Sequence, residues 1–171
     1  MKPLDIVAQI IGFLALAFTA GSFQGRNRKR ILIFQSLGSF LWMVQFILLG
    51  SYTGAIVNSI SVIRNVFYYF KDKNKLFSSK WLPFLAGILY VICGIFTFDG
   101  ILSVLPVIAA LIASVAFYIT EEKKIRILSL FVSPLWMIYD IFAPSIAGVL
   151  TESITLISII IALFRFRKKQ G

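Results

Sequence analysis

The sequence predicts an all-α membrane protein of seven transmembrane helices in a 3+1+3 arrangement, two parallel triple-helix bundles joined by one connecting helix. Three observations carry this. Of 171 residues, 59% are hydrophobic and only 14% charged, and the mean hydropathy of +0.92 lies far outside the range of a soluble globular domain. The apolar residues fall into seven blocks, each close to the roughly 20 residues a helix needs to cross a hydrocarbon core of about 30 Å. Finally, the chain matches itself at one fixed offset.

The blocks are 4–23, 31–50, 54–70, 81–98, 101–119, 125–143 and 145–164. Irregular backbone facing lipid is too costly to tolerate, so each block reads as one helix. The breaks between them alternate in kind. Arg26 to Arg30, Lys71 to Lys80, Glu121 to Lys124 and the tail from Arg165 to Lys169 are charged, whereas Ser51 to Thr53, Asp99-Gly100 and Pro144 carry no basic residue. Nearly all Lys and Arg therefore fall on one side, with Lys2 on the other and Arg64 left inside a block. The positive-inside rule places the N-terminus outside and the C-terminus in the cytoplasm of a cell (inner) membrane protein. The first block, with Met1-Lys2 before it and Thr19-Ala20-Gly21 near its end, also has the outline of a cleaved secretory signal.

Sliding the chain by 94 residues aligns Leu41-Trp42-Met43 with Leu135-Trp136-Met137. In the same register Ser51 meets Ser145, Gly54 meets Gly148, Ser59-Ile60 meet Ser153-Ile154, and Lys29 and Ser39 meet Lys123 and Ser133. Chance matching of Ile and Leu would not also align Trp, Lys, Gly and Ser, so the repeat is read as a duplication. It divides the chain into a first bundle at 1–73, a linker helix within 74–99, a second bundle at 100–167 and a cytoplasmic tail at 168–171. Helices one and five both enter from outside, which makes the bundles parallel repeats about an axis along the membrane normal. Because the first helix has a counterpart in the fifth, it is expected to be retained.

Composition also excludes function classes. There is no histidine, hence no imidazole relay, His-based triad or common zinc or haem site. The single cysteine, Cys93, has no partner for an intrachain disulfide or a thiolate cage. A formal charge of +10 would suit nucleic acid, but its placement between apolar blocks is explained by topology. No catalytic residue, metal or cofactor is assigned, and no nucleic-acid partner is expected.

Helical spacing groups the polar residues. In the third block Asn58, Ser61 and Asn65 share one side with Arg64 and Tyr68, and the positions 94 residues on are Glu152, Thr155 and Ser158. The second block offers Gln35, Ser39, Trp42 and Gln45, matched by Ser129, Ser133, Trp136 and Tyr139. Gln9 and Ser103 add to these. Such stripes also serve as glue between helices, but Trp42 and Trp136 lie near mid-membrane rather than in the interfacial belt where Trp is favoured. Arg64, Asp140 and Glu152 are intramembrane charges, which mark either substrate recognition and proton coupling or a structural ion pair. Counting residues from the outer helix ends gives an expected ion pair from Arg64 to Glu152 or Asp140. Gly12, Gly38, Pro106 and Pro134 are candidate hinges.

A seven-helix protein with this repeat resembles the SWEET, SemiSWEET and PQ-loop group of small-solute transporters, and at closer range it looks like the YgjV family of bacterial inner-membrane proteins. In SWEET-type carriers the pocket is built from a Trp on the second helix of each bundle and an Asn on the third. Trp42 and Asn58 match that pattern sixteen residues apart; Trp136 and Glu152 repeat the spacing, with Glu152 departing from the pattern. No Pro-Gln dipeptide occurs. The resemblance implies a carrier moving a small polar solute through a central pocket at Trp42, Asn58, Trp136 and Glu152; helical spacing adds Ser61 and Thr155, and Trp136 is expected to stack across from Trp42. The alternative is a membrane receptor or interaction protein on the same fold. Its oligomeric state is not legible in the sequence.

Overall fold

The computed structural model describes residues 3–22, 28–71, 73, 81–119 and 121–168. Much of the basic breaks expected at 26–30 and 71–80, and the end of the tail, lie outside the described residues. Those described form α1 (Pro3–Ser22), α2 (Arg28–Leu48), α3 (Tyr52–Tyr69), α4 (Trp81–Phe96), a 3-10 turn (Ile101–Ser103), α5 (Val104–Tyr118), α6 (Glu122–Phe142) and α7 (Ile146–Lys168). Each apolar block thus contains one helix, as the need to satisfy every backbone group internally requires. The ends differ from the sequence reading. Both α2 and α6 start three residues before their apolar blocks, because helical hydrogen bonding continues into a charged segment that a hydropathy count stops at. The fifth block opens as the 3-10 turn, entered through Gly100 at φ 97° and pinned by a hydrogen bond from the Ser103 hydroxyl to the Gly100 carbonyl at 2.7 Å.

Four segments, Pro3–Ser22, Arg28–Leu48, Ile101–Tyr118 and Lys123–Phe142, are long and apolar enough to cross a membrane. Trp81–Phe96 and Ile146–Ile161 are shorter apolar helices, and α3 trades apolarity for Asn58, Ser61, Arg64 and Asn65. Large apolar side chains are turned outward, among them Ile10, Phe13, Phe40, Ile63, Phe131 and Ile157. Polar ones are turned inward, with Gln45, Asn65 and Thr151 fully buried. That inversion suits a multi-pass protein in lipid.

Neighbours in sequence pack on one another: α1 on α2, α2 on α3, α5 on α6, and α6 on α7. The circuit is closed by α1 against α7 and α3 against α5, while α4 leans on α3 and α5 from the side. Small residues allow the close approach. A Cβ added at Gly54 would meet the Tyr139 ring at 2.9 Å, and one at Gly148 would collide with the Asp140 carboxyl group. Gly148→Ala is therefore expected to destabilise the protein by about 1 to 3 kcal/mol through overpacking. Thermal unfolding in detergent reads this; an unchanged midpoint would mean that Asp140 swings away freely.

Both ends of the circuit are tied. At one, the Gln9 amide donates to the Pro144 carbonyl at 2.9 Å, Ser145 donates to Gln45 Oε1 at 3.2 Å, and the Gly54 N–H donates to the Tyr139 hydroxyl at 3.1 Å. At the other, Arg28 donates to the Tyr68 and Phe117 carbonyls at 2.9 and 3.3 Å, Tyr68 and Ser114 share a hydrogen bond of 2.8 Å, and Lys71 donates to the Tyr118 carbonyl at 2.9 Å.

Candidate functional site: a charged cavity inside the helix circuit

Between these two layers lies a cavity of about 90 Å³. A buried water needs roughly 10 to 15 Å³ of occupied volume, so the space has room for several waters or a small solute. Its wall takes Gln35, Ser39, Trp42 and Phe46 from α2, and Asn58, Ser61 and Arg64 from α3. Facing them are Ser129, Ser133, Trp136 and Asp140 from α6 and Glu152 and Thr155 from α7, with Thr19 of α1 and Phe117 of α5 between the two sets. The geometry thus brings together all six residues named for solute binding and all three intramembrane charges. Asn65 lies behind Arg64, and Ser158 is exposed and does not contribute.

The aromatic floor differs from the stack expected of the two indoles. Phe46 is inserted between them, its centroid 6.2 Å from Trp42 at 33° and 5.9 Å from Trp136 at 19°. Tyr139 meets Phe46 edge-on at 5.7 Å. The reason is spacing: Phe46 lies one helical turn beyond Trp42 on the same face of α2, and α6 presents both Trp136 and Tyr139 to its ring. Trp42 is fixed by its Nε1–H, which donates to the Thr19 hydroxyl at 3.0 Å. Sequence reasoning passed over Phe46 and Thr19, although Phe46 aligns with Asp140 in the repeat register.

The polar residues of α3 divide. Asn58 donates to the Gly54 carbonyl at 2.9 Å, and Ser61 bonds both the Val57 carbonyl and the Tyr90 hydroxyl at 2.9 Å. That second contact gives α4 a part in positioning the wall, a role its sequence did not advertise.

The expected ion pair from Arg64 to Glu152 or Asp140 is not formed. The Arg64 guanidinium instead donates twice to Asn65 Oδ1, at 3.1 Å from Nε and 2.9 Å from Nη2. Three rings surround it, Phe117 at 5.3 Å and Tyr68 and Tyr90 at 5.9 Å. An amide oxygen and aromatic faces offset part of the desolvation of a buried cation, so the side chain stays on its own wall. Asp140, 3% exposed, is seated against Gly148. Arg64 Nη1, Asp140 Oδ1 and Thr155 Oγ1 are buried with no hydrogen-bond partner.

Of the candidate hinges, Gly12 is packed against Gln45 and Ala147. Pro106 lies in the first turn of α5, where a missing N–H costs nothing. Pro134 lies inside α6 and removes a rung of its hydrogen-bond ladder.

Fold and cavity together define a multi-pass α-helical membrane protein with a charged interior. The chain belongs to the YgjV family of bacterial inner membrane proteins, whose family model, described as "Bacterial inner membrane protein", matches residues 6–170. The inner membrane protein YgjV of Escherichia coli (strain K12) is 25% identical over 167 residues, covering 96% of this chain and 86% of that relative. No solved structure matches.

Proposed function

We propose that the protein is a carrier for a small polar solute. Two three-helix units, α1–α3 and α5–α7, rock about the central cavity, and α4 is the connector. The observation that carries this reading is the composition of the wall. Most of its residues, though not Arg64, pair at the repeat offset, among them Gln35 with Ser129, Ser39 with Ser133, Trp42 with Trp136, Phe46 with Asp140, Asn58 with Glu152 and Ser61 with Thr155. Such pairing is what two parallel repeats facing one another would produce. The helix contacts support it too, since α1 against α7 and α5 against α3 are the same contact under the repeat. So do Ser51 and Ser145, whose N–H groups each donate five residues back, to Phe46 and Asp140, at 2.9 Å.

In this reading the two tied layers are alternate gates, one of which opens at a time, and Gly12, Pro106 and Pro134 absorb the bending. The likeness to SWEET and PQ-loop carriers rests on the 3+1+3 repeat and the Trp42–Asn58 spacing. The chain is read as a carrier rather than an enzyme. Solute flux in proteoliposomes is the test. Transport lost in Trp42→Ala and Trp136→Ala but kept in the outward-facing Ile160→Ala is expected; a chain that binds a solute and never moves it would be a receptor.

Orientation follows the charge bias, with the N-terminus outside. Single cysteines at the exposed Tyr52 or Asp99, on a background without Cys93, should react with an impermeant thiol reagent in intact cells. Labelling at Arg28 or Lys123 instead would invert the topology.

A further inference from the structure

A guanidinium and two carboxyl groups line one small cavity, and the guanidinium bonds Asn65 rather than either acid. Arg64 on α3 and Asp140 on α6 are 5% and 3% exposed, and each directs at least one buried polar atom, Nη1 and Oδ1, to no partner in the protein. A buried charge left unpaired is costly. Their mutual approach would relieve that cost, yet Asn65 and the three rings hold the guanidinium on its own side.

The chemistry of the missing partner follows by elimination among ligand types. A neutral polyol would leave both charges answered only by hydroxyl dipoles. A plain anion would suit Arg64 and face two carboxylates, Asp140 and Glu152, across the same space. A plain cation would suit the acids and face the guanidinium. We infer that the ligand is a small zwitterion, an ammonium and a carboxylate on one short skeleton such as a small α-amino acid, with its carboxylate on Arg64 and its ammonium on Asp140. Thr155 Oγ1, also buried and unpartnered, is a further polar contact, and the Trp42–Phe46–Trp136 floor receives the short side chain. The cavity has room for a small amino acid.

This inference rests on the cavity being a solute site, the same premise as the carrier reading, so the experiment separates the two. Purified protein is titrated with L-alanine, L-serine, glycine, L-alaninamide, L-lactate and D-glucose, and thermal stabilisation is read as affinity, since a ligand of the folded state must raise its stability. L-Alanine is expected to bind at least about tenfold tighter than either analogue lacking one charge. Arg64→Gln should erase the preference for alanine over alaninamide, and Asp140→Asn the preference for alanine over lactate. Arg64→Lys, which keeps the charge, should retain the first preference, and serves if the glutamine variant does not fold. Binding of glucose in preference to alanine overturns the inference, as does a folded wild-type protein that none of alanine, serine and glycine stabilises. Flux of a neutral solute without alanine binding would leave the carrier standing and remove the zwitterion. Alanine binding without flux would do the reverse.

Discussion

Replacing Phe46 with alanine is expected to cost about 3 kcal/mol or more, the usual range for truncating a fully packed aromatic. Phe46 is 2% exposed and touches three aromatic partners, Trp42, Trp136 and Tyr139. In lipid the driving force is packing rather than exclusion of water, so the loss comes from contacts and from the void left between two indoles that nothing else separates. Because Phe46 is the point where α2 meets α6, the variant also loosens one set of helices from the other. Denaturation in detergent reads the first effect, and the near-ultraviolet circular dichroism of the coupled rings reads the second. Phe46→Leu should recover part of both. A Phe46→Ala protein that unfolds with the wild type would mean that the ring is not clamped.

Arg64→Gln is expected to lower solute uptake roughly 100-fold, the equivalent of about 2.7 kcal/mol, because it removes the one basic side chain among the described residues of the cavity wall. Stability should fall as well, since Asp140 and Glu152 then share that wall with no cation opposite. Charges facing one another across a protein interior interact by roughly 1 to 4 kcal/mol at an effective dielectric near 20, and they do so without touching. Adding Glu152→Gln should therefore restore part of the lost stability while leaving uptake absent. A double-mutant cycle on the unfolding midpoint measures the coupling. If the single and double variants unfold alike and both transport, the arginine acts only within its own helix.

The helices were legible in the sequence because lipid favours long apolar runs, which four of the described segments meet in full. The inward stripes were legible for a related reason: Asn58, Ser61 and Arg64 can share a side of α3 only by facing protein. What was hidden is what lipid and protein both accept. Phe46 sits in an apolar run and looks the same whether it faces acyl chains, as Phe40 does, or wedges between two tryptophans. The partner of Arg64 was hidden for another reason. Residue counting gives height along the bilayer normal but not distance across it, and it took no account of the amide oxygen next door on Asn65. Helix starts were misplaced because hydropathy marks where lipid ends, while backbone hydrogen bonding runs on.

The aromatic floor has an optical consequence. The chain has three tryptophans: Trp42 and Trp136 border the cavity, and Trp81 is 69% exposed at the start of α4. In a Trp81→Phe protein, all ultraviolet emission from tryptophan would originate at the cavity wall. Indole emission moves to longer wavelength as water reaches the ring and back as it leaves, so the wetting and drying of the interior would be legible as colour, with no dye attached.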